Sequence, residues 1–233
     1  MLKRRNGESN TGLDGVAALQ RTGRQCQSRH PRPSYWAIGA KFLDQSLSMP
    51  GKATAPARIS LVRFDVEDFD RLISWVPAET DLVEWCAAFF RYPLNRSQLE
   101  RYLESSKEPN VREIFTARAD DGEAVGHVEI SHIWPHLSSR LSRVLVAPGR
   151  RRCGIAQSMV AQALSRTFDA DRVDRVDLGV SATNLTAIGC YKKLGFAQVG
   201  LWPNAIMAGS HRMDVVWMTM TRDRWQDSCG ERQ

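Results

Sequence analysis

The chain has 233 residues, of which 42% are hydrophobic, and a formal net charge of +6. This length corresponds to one domain or two small ones and allows a sizeable buried core. No window approaches about 18 uninterrupted apolar residues, and no leader with a cleavage site starts the chain. The sequence therefore predicts a cytoplasmic protein without a membrane partner.

The positive charge lies in the first 56 residues. They hold nine Lys and Arg against three Asp and Glu, whereas residues 57–233 hold 23 of each. A balanced folded part argues against nucleic acid as its partner. The cysteines are odd in number and form no C-x-x-C pair, which argues against a disulfide framework or a metal site and predicts reduced thiols. They are Cys26, Cys86, Cys153, Cys190 and Cys229.

The domain boundaries follow from composition. Residues 1–56 are rich in Gly, Ser, Arg, Gln and Pro and show no sustained hydrophobic period. Such a segment buries too little apolar surface to offset its ordering entropy, so we expect a disordered basic extension. Periodicity begins at Arg58 and predicts a folded domain over residues 57–225, followed by a polar tail over residues 226–233.

The first half of the predicted domain is one strand followed by helices. Residues 59–64 are strand-like, and apolar residues at helical spacing then predict three helices. These helices cover about residues 65–75, 81–91 and 97–105. Their aromatic residues are expected in the core rather than in a pocket. They are Trp75, Trp85, Phe89, Phe90 and Tyr92.

The second half is richer in strands. Residues 120–122 are Asp-Asp-Gly, which between two strand-like runs predicts a hairpin, and residues 131–139 are expected to form a loop. Gly195 is expected to cap a helix at its carboxyl end. Further strands are predicted at 141–146, 176–180, 197–201 and 213–220, and helices at 154–168 and 184–194. The order is not a strict alternation, so the predicted fold class is α/β (α+β), with a mixed, mostly antiparallel sheet flanked by helices.

Residues 144–156 join a strand, a basic loop and a helix. Their sequence is Val-Leu-Val-Ala-Pro-Gly-Arg-Arg-Arg-Cys-Gly-Ile-Ala. The loop entering such a helix presents unpaired N–H groups at the positive end of the helix dipole, and glycine allows a ligand to approach the backbone closely. With three arginines beside it, this arrangement predicts a pyrophosphate site.

Two motifs in this region resemble a known family. Residues 151–156 fit the R/Q-x-x-G-x-G/A signature of the GNAT superfamily of acyl-CoA-dependent N-acetyltransferases, and residues 184–196 resemble its N-x-x-A-x-x-x-Y-x-x-x-G-F segment. The order of aromatic and acidic residues upstream is more weakly similar to the branch near the ribosomal-protein alanine acetyltransferases. The resemblance implies a GNAT-like fold, and that the helices before the signature help to wall the acceptor site.

The resemblance also implies the donor site. Acetyl-CoA would be the co-substrate, with no metal. The backbone of Val144, Leu145 and Val146 would pair with its pantetheine arm, and the amides of the loop would hold its pyrophosphate. The loop residues are Arg151, Arg152, Cys153, Gly154, Ile155 and Ala156. Arg152 stands where glycine is frequent in the family, and Ala156 replaces the last glycine, which the signature allows.

Asn184 and Tyr191 are two helical turns apart and project from one helix face. The resemblance implies that Asn184 contacts the cofactor arm and that Tyr191 is a general acid near the sulfur. A phenol within reach could protonate the departing CoA thiolate. The alternative is that Asn184 is only the N-cap and Tyr191 a packed aromatic.

The general base is open, because many relatives place a glutamate where this chain has Arg143. Glu129 on the preceding strand is the first candidate, followed by His127 and His132.

The function that the resemblance implies is transfer of an acetyl group from acetyl-CoA to a primary amine, either a protein N-terminus or a small molecule, by direct attack in a ternary complex. The protein would be a monomer or homodimer. The alternative is a non-catalytic acyl-CoA-binding or interaction module with a basic tail.

Overall fold

The structure is a computed structural model that describes residues 58–109, 111–133, 136–169, 173–208 and 211–230. The expected disordered extension over residues 1–56 lies outside these ranges. The strands are β1 (Ile59–Arg63), β2 (Arg112–Ala119), β3 (Ala124–Ile133), β4 (Ser138–Val146), β5 (Arg175–Ser181), β6 (Ala197–Ala208) and β7 (His211–Thr221). The helices are α1 (Phe69–Ser74), α2 (Glu79–Cys86), α3 (Arg96–Glu104), α4 (Ile155–Asp169), α5 (Leu185–Leu194) and α6 (Arg222–Gly230).

The strands form a seven-stranded sheet in the order β1-β2-β3-β4-β5-β7-β6. Every neighbouring pair is antiparallel except β4 and β5, which run parallel. The predicted fold class is confirmed, since a mixed and mostly antiparallel sheet carries helices on both faces. None of the helices in the described ranges is both long and apolar enough to cross a bilayer.

The sheet separates two hydrophobic cores. Alternation along β2 shows this, because Phe115 belongs to the core under α4 and α5, whereas Ile114 belongs to the core under α1, α2 and α3. Helix α4 has a fully buried stripe that includes Met159 and Leu164, as its period of about 3.6 residues predicts. The second core has fewer aliphatic residues and therefore a larger share of aromatic rings, and it positions the polar cluster described below.

Four sequence expectations need correction. The second predicted helix ends at Cys86, because Ala87 adopts a φ of 54° and breaks the helical hydrogen-bond pattern. Most of the expected loop over residues 131–139 extends β3 and β4, which pair as far as Ile133 and Ser138. The last two strands are longer than predicted. The expected polar tail begins inside α6, and Trp225 of that helix stacks on Phe168 with the ring centroids 6.4 Å apart.

Candidate functional site

A cleft opens between β4 and β5 because these two strands pair over only three residues. Their register runs from Ser138 opposite Arg175 to Arg140 opposite Asp177. Beyond this point β4 continues to pair with β3, and β5 continues to pair with β7. The facing edges of β4 and β5 therefore have free backbone N–H and C=O groups, to which an extended ligand can add as a further strand.

The predicted pantetheine-binding residues line this cleft. Leu145 and Val146 pair with His127 and Gly126 of β3 on one side, which leaves their other backbone edge toward β5. The side chain of Leu145 packs in the core under α1, α2 and α3, whereas Val144 and Val146 pack against the α4 core. These side chains are thus committed to packing, so a ligand in the cleft would meet the backbone.

A β-bulge in β4 interrupts its regular pairing with β3 within the open edge. Glu129 lies opposite Ser142 and His127 lies opposite Leu145, so Arg143 and Val144 together face Val128. Arg143 adopts a φ of 50°, a left-handed conformation that is costly for a residue with a side chain. The bulge directs the Arg143 side chain toward Glu129.

The loop between β4 and α4 has the conformation of an anion-binding cradle. After a 3-10 turn over Pro148–Arg150, Arg151 is extended, Arg152 has a φ of 64° and Gly154 a φ of 78°. The first helical hydrogen bond runs from the Ser158 N–H to the Gly154 carbonyl, 3.1 Å away. The amides of Ile155 and Ala156 therefore lack helical partners and are available for an anion.

The side chains of this loop differ in exposure. Arg151, Arg152 and Cys153 are exposed and Ile155 is buried in the core, with Ala156 half-buried beside it. The Cys153 thiol lies 3.5 Å from the Arg151 carbonyl. Arg152 occupies a left-handed position, which explains on physical grounds why glycine is favoured there.

The second motif begins at the same end of the sheet. Since β4 and β5 are parallel, their carboxyl ends meet at one edge, and α4 and α5 begin there. The Asn184 side chain caps α5 by accepting a hydrogen bond of 3.0 Å from the Ala187 N–H. The expected N-cap is observed, and Asn184 stands at the mouth of the cleft with its amide NH₂ as the group left for a ligand.

Tyr191 lies on α5, seven residues after Asn184. It is 8% exposed and packs edge-on against Phe196, with ring centroids 5.7 Å apart. Burial, with a smaller effect of the neighbouring Cys190, raises the pKa of the Tyr191 phenol well above its usual value. The phenol is therefore protonated at neutral pH, the state that a proton donor needs.

Glu129 is at the centre of a buried ion cluster on the other face of the sheet. Its side chain is fully buried, and Arg143 binds both of its carboxylate oxygens through Nε and Nη2. Ser131 donates a hydrogen bond of 2.6 Å to Oε1. The Nε of Arg112 lies 3.2 Å from the same oxygen, within ion-pair distance, although it makes no hydrogen bond there.

The electrostatics of this cluster favour ionised partners. Burial alone would raise the pKa of Glu129, but the charge and hydrogen bonds of Arg143, with smaller effects of Ser131 and Tyr102, together hold that pKa below its usual value. The pKa of Arg143 is raised, because its interactions with Tyr102 and Glu129 outweigh its own burial. A carboxylate with such partners is a weak base, and this geometry favours a positioning role for Glu129.

The two histidine candidates are also engaged. His127 is 1% exposed, and burial lowers its pKa to about 3, so its ring is neutral. Its Nε2 lies 3.2 Å from the Tyr102 hydroxyl. His132 has Nδ1 2.8 Å from the Ser139 hydroxyl and Nε2 3.7 Å from Glu113.

Sequence reasoning misses the partners of Glu129. It treats Arg143 only as a substitute for glutamate and does not single out Arg112 or Tyr102. The available signal is a charge pair, Glu129 and Arg143, on two strands predicted as neighbours. Within the described ranges, no three His, Cys, Asp or Glu side chains converge as metal ligands.

The fold and the cleft define a class of protein. Its members have a mixed sheet in which two central parallel strands separate, and the helix beside this cleft begins with an anion-binding loop. A model of the acetyltransferase (GNAT) family matches residues 79–196, just over half of the chain. The chain therefore belongs to the GNAT family of acetyltransferases.

Solved structures share this fold. The spermidine N-acetyltransferase of Vibrio cholerae, solved in complex with CoA and spermine, is 18% identical with a TM-score of 0.63, over 72% of this chain and 98% of that one. A chimera of the Vibrio cholerae enzyme with hSSAT is also 18% identical with a TM-score of 0.63, over 73% of this chain and 99% of the chimera. At this identity the likeness shows the fold.

Proposed function

We propose that this protein transfers an acetyl group from acetyl-CoA to a primary amine, of a protein N-terminus or a small molecule, by direct attack in a ternary complex. One observation carries the proposal: the open edge of β4 runs directly into a left-handed loop at the amino end of α4. A strand edge can pair with the amides of a pantetheine arm, and the loop can hold a pyrophosphate. Family membership supports the same donor.

The residues that would hold the donor are those around the cleft. The β4 backbone at Val144–Val146 would bind the pantetheine arm, and the amides of Gly154, Ile155 and Ala156 would bind the pyrophosphate with Arg151 and Arg152 nearby. Asn184, at the mouth of the cleft, has an amide NH₂ to offer. The bound donor supplies an acyl thioester, which is activated toward amines.

The reaction forms a C–N bond and breaks the C–S bond of the thioester. The amine loses one proton, and the departing thiolate gains one. Tyr191 is the proposed proton donor to the sulfur, because burial keeps its phenol protonated. Backbone N–H groups near Val146 would stabilise charge on the carbonyl oxygen.

The proton of the amine passes to water in this proposal. Glu129 is held by Arg143 and Ser131, and His127 is neutral with a pKa of about 3, so neither is suited to accept a proton at neutral pH. Glu129 then acts as a positioning residue that holds Arg143 in the β4 bulge. The same engagement of all three candidate bases supports the second candidate function, a non-catalytic acyl-CoA-binding module.

The test uses the full chain and two measurements. Calorimetric titration with acetyl-CoA should give a dissociation constant near the micromolar range, about −8 kcal/mol. Gly154→Glu should abolish binding, because it places a carboxylate and a side chain at φ 78° in the cradle. Gly149→Glu, where an added Cβ meets nothing within 4 Å, should retain more of the binding.

The second measurement is release of CoA thiol with a panel of primary amines. Amine-dependent release separates the enzyme from the binding module, which would bind acetyl-CoA without turnover. A folded sample that does not bind acetyl-CoA would disprove the donor site.

A further inference from the structure

A second concave feature lies beside the ion cluster, on the face of the sheet covered by α3. This groove encloses about 450 Å³, part of it open to solvent, and its walls include Phe89, Tyr102, Arg101, Ser105 and Arg112. Two guanidinium groups and three aromatic rings, with Phe90 as the third, line it, and no carboxylate does. Its composition suits an anionic group joined to an apolar body.

Arg112 is held in place for such a ligand. Its Nη1 donates a hydrogen bond of 2.8 Å to the Ser105 hydroxyl, and its guanidinium carbon lies 5.4 Å from the Phe89 ring centroid and 5.8 Å from that of Tyr102. The side chain remains 20% exposed. A guanidinium that is already oriented loses less conformational entropy when an anion binds.

Arg101 supplies a second positive charge. Arg101 is on α3, four residues before Ser105, which caps the carboxyl end of that helix in a helical conformation, so both side chains leave the same face. Arg101 is exposed, and within the described part of the chain its guanidinium has neither a hydrogen bond nor an ion pair. A free guanidinium beside an oriented one is an arrangement that can bind a carboxylate or phosphate from two sides.

The local charge balance leaves room for an anion. Arg112 and Arg143 both approach Oε1 of Glu129, so two guanidinium groups share one buried carboxylate. Arg101 raises the excess of positive charge at the groove to two. An anionic ligand would reduce this repulsion, whereas a polycationic ligand would increase it.

The groove adjoins the proposed site of acetyl transfer. Phe89 forms its wall with 45% of its surface exposed, and the Arg143 guanidinium stacks on the same ring at 3.9 Å. Arg143 directly precedes Val144, and both residues lie on the open edge of β4, beyond its last pair with β5. A ligand anchored by its anion at Arg101 and Arg112 can therefore extend past Phe89 toward the cleft.

We infer that this groove selects the acceptor: the substrate class is a primary amine that also carries a carboxylate or phosphate. The inference rests on the proposed acetyltransferase function and narrows it. It sets this chain apart from the Vibrio cholerae enzyme of the same fold, whose structure was solved in complex with the polyamine spermine. Arg101 and Arg112 would bind the anion, and the aromatic wall would contact the carbon skeleton between anion and amine.

The test compares matched acceptors with the full chain and acetyl-CoA. The probes are 4-(aminomethyl)benzoate and its neutral carboxamide, with 2-aminoethyl phosphate to distinguish phosphate from carboxylate and spermidine as the cationic probe. We expect kcat/KM for the benzoate to exceed that for the carboxamide by at least about 10-fold, mainly through KM, as a charge-assisted pair should give. If 2-aminoethyl phosphate is preferred instead, the anion is phosphate.

Arg101→Gln should lower the benzoate-to-carboxamide ratio by about 5-fold, since it removes one of the two cations. Because the benzoate-to-carboxamide ratio is measured within one variant, any change in the binding of acetyl-CoA cancels. The matched control is Arg58→Gln, which removes the same charge from an exposed residue that does not line the groove and should leave the ratio unchanged. Equal use of carboxamide and benzoate, or preferred use of spermidine, would overturn the inference while leaving the acetyltransferase proposal intact.

A direct binding measurement distinguishes failure of the proposed acetyltransferase function from failure of the proposed anion site. If no amine is acetylated although acetyl-CoA binds, the proposed function fails. Calorimetry of 4-(aminomethyl)benzoate with the CoA-bound protein then shows whether the groove binds an anion. Binding that is tighter than that of the carboxamide and weakened by Arg101→Gln would support the anion site. Equal binding of the two probes would refute it.

Discussion

The indole Nε1 of Trp85 donates a hydrogen bond of 2.9 Å to the backbone carbonyl of Arg143. Trp85 is on α2, 58 residues before Arg143, which lies in the β4 bulge with a φ of 50°. The bond therefore connects the helical face to the strand irregularity where the cleft begins. A costly backbone conformation persists when surrounding contacts hold it, and this contact is one of them.

Replacing Trp85 with Phe tests this relationship. We expect a loss of about 1–3 kcal/mol in the free energy of unfolding, because one hydrogen bond and some packing are removed. The measurements are urea denaturation and kcat/KM, and the latter should fall because the bulge loses a support. Trp75→Phe is the control, as this indole makes no hydrogen bond within the described residues. Unchanged kcat/KM in Trp85→Phe would mean that this bond does not shape the active cleft.

Replacing Tyr191 with Phe removes the proposed proton donor while keeping its packing. We expect kcat to fall by about 100-fold, within the range for general acids, with the dissociation constant of acetyl-CoA unchanged.

Because the pKa of Tyr191 is raised, the phenol stays protonated in the folded state at and above about pH 10. Its contribution to stability is then complete below the unfolded pKa of about 10 and declines as the pH rises further. For Tyr191→Phe, steady-state kinetics measure kcat and calorimetry measures the dissociation constant of acetyl-CoA. A kcat equal to that of the unmodified protein would show that Tyr191 is only a packed aromatic.

Replacing Glu129 with Gln leaves the buried Arg143 without its counter-charge. Breaking a buried pair in this way should cost about 3–5 kcal/mol of unfolding free energy at pH 7. The pKa of Glu129 is lowered in the folded state, so its stabilisation is present above the unfolded pKa of about 4.3 and is lost as the pH falls through the folded value. Denaturant titrations between pH 3 and pH 7 measure this, with the exposed pair member Glu123→Gln as control.

The same variant distinguishes positioning from base catalysis. Reduced stability is expected under either role, because Arg143 loses its counter-charge in both cases. A positioning role predicts a pH–rate profile of unchanged shape. If Glu129 were the base, Glu129→Gln would instead remove the acidic limb of the kcat/KM profile, and only this change in the profile separates the two roles.

Two adjacent arginines of the loop should respond oppositely to glycine. Arg152→Gly relieves a left-handed residue at φ 64° and should stabilise the fold by about 1 kcal/mol. Arg151→Gly, at an ordinary φ of −69°, gains only unfolded-state entropy and should destabilise by about 0.5–1 kcal/mol. Thermal unfolding measures both, and the same sign for the two variants would contradict this account of the loop.

Helix α5 offers a similar comparison between two glycines. Gly189 lies within the helix, where an added Cβ meets nothing within 4 Å, so Gly189→Ala should stabilise by about 0.5–1 kcal/mol. Gly195 caps the helix with a φ of 104°, so Gly195→Ala should destabilise by about 1 kcal/mol or more. Urea denaturation of the pair provides the measurement. A stabilising Gly195→Ala would be inconsistent with the left-handed cap.

Local chemistry let the sequence predict much of this protein. Helix periodicity located α4, the Asn184 and Gly195 caps bounded α5, and the Arg151–Ala156 motif fixed the loop, since each depends on residues within a few positions of one another. The sequence also placed Tyr191 on the same helix face as Asn184. These features need no knowledge of distant contacts.

Only the tertiary structure decided what surrounds Glu129 and how the cleft opens. Glu129 meets Arg143 because the β4 bulge shifts the register, and it meets Arg112 through pairing of β2 with β3. Strand register and the parting of β4 from β5 depend on the balance of many long-range contacts, which no local period encodes. For this reason the sequence identified Glu129 as a candidate base, whereas the folded chain makes it the buried counter-charge of two arginines.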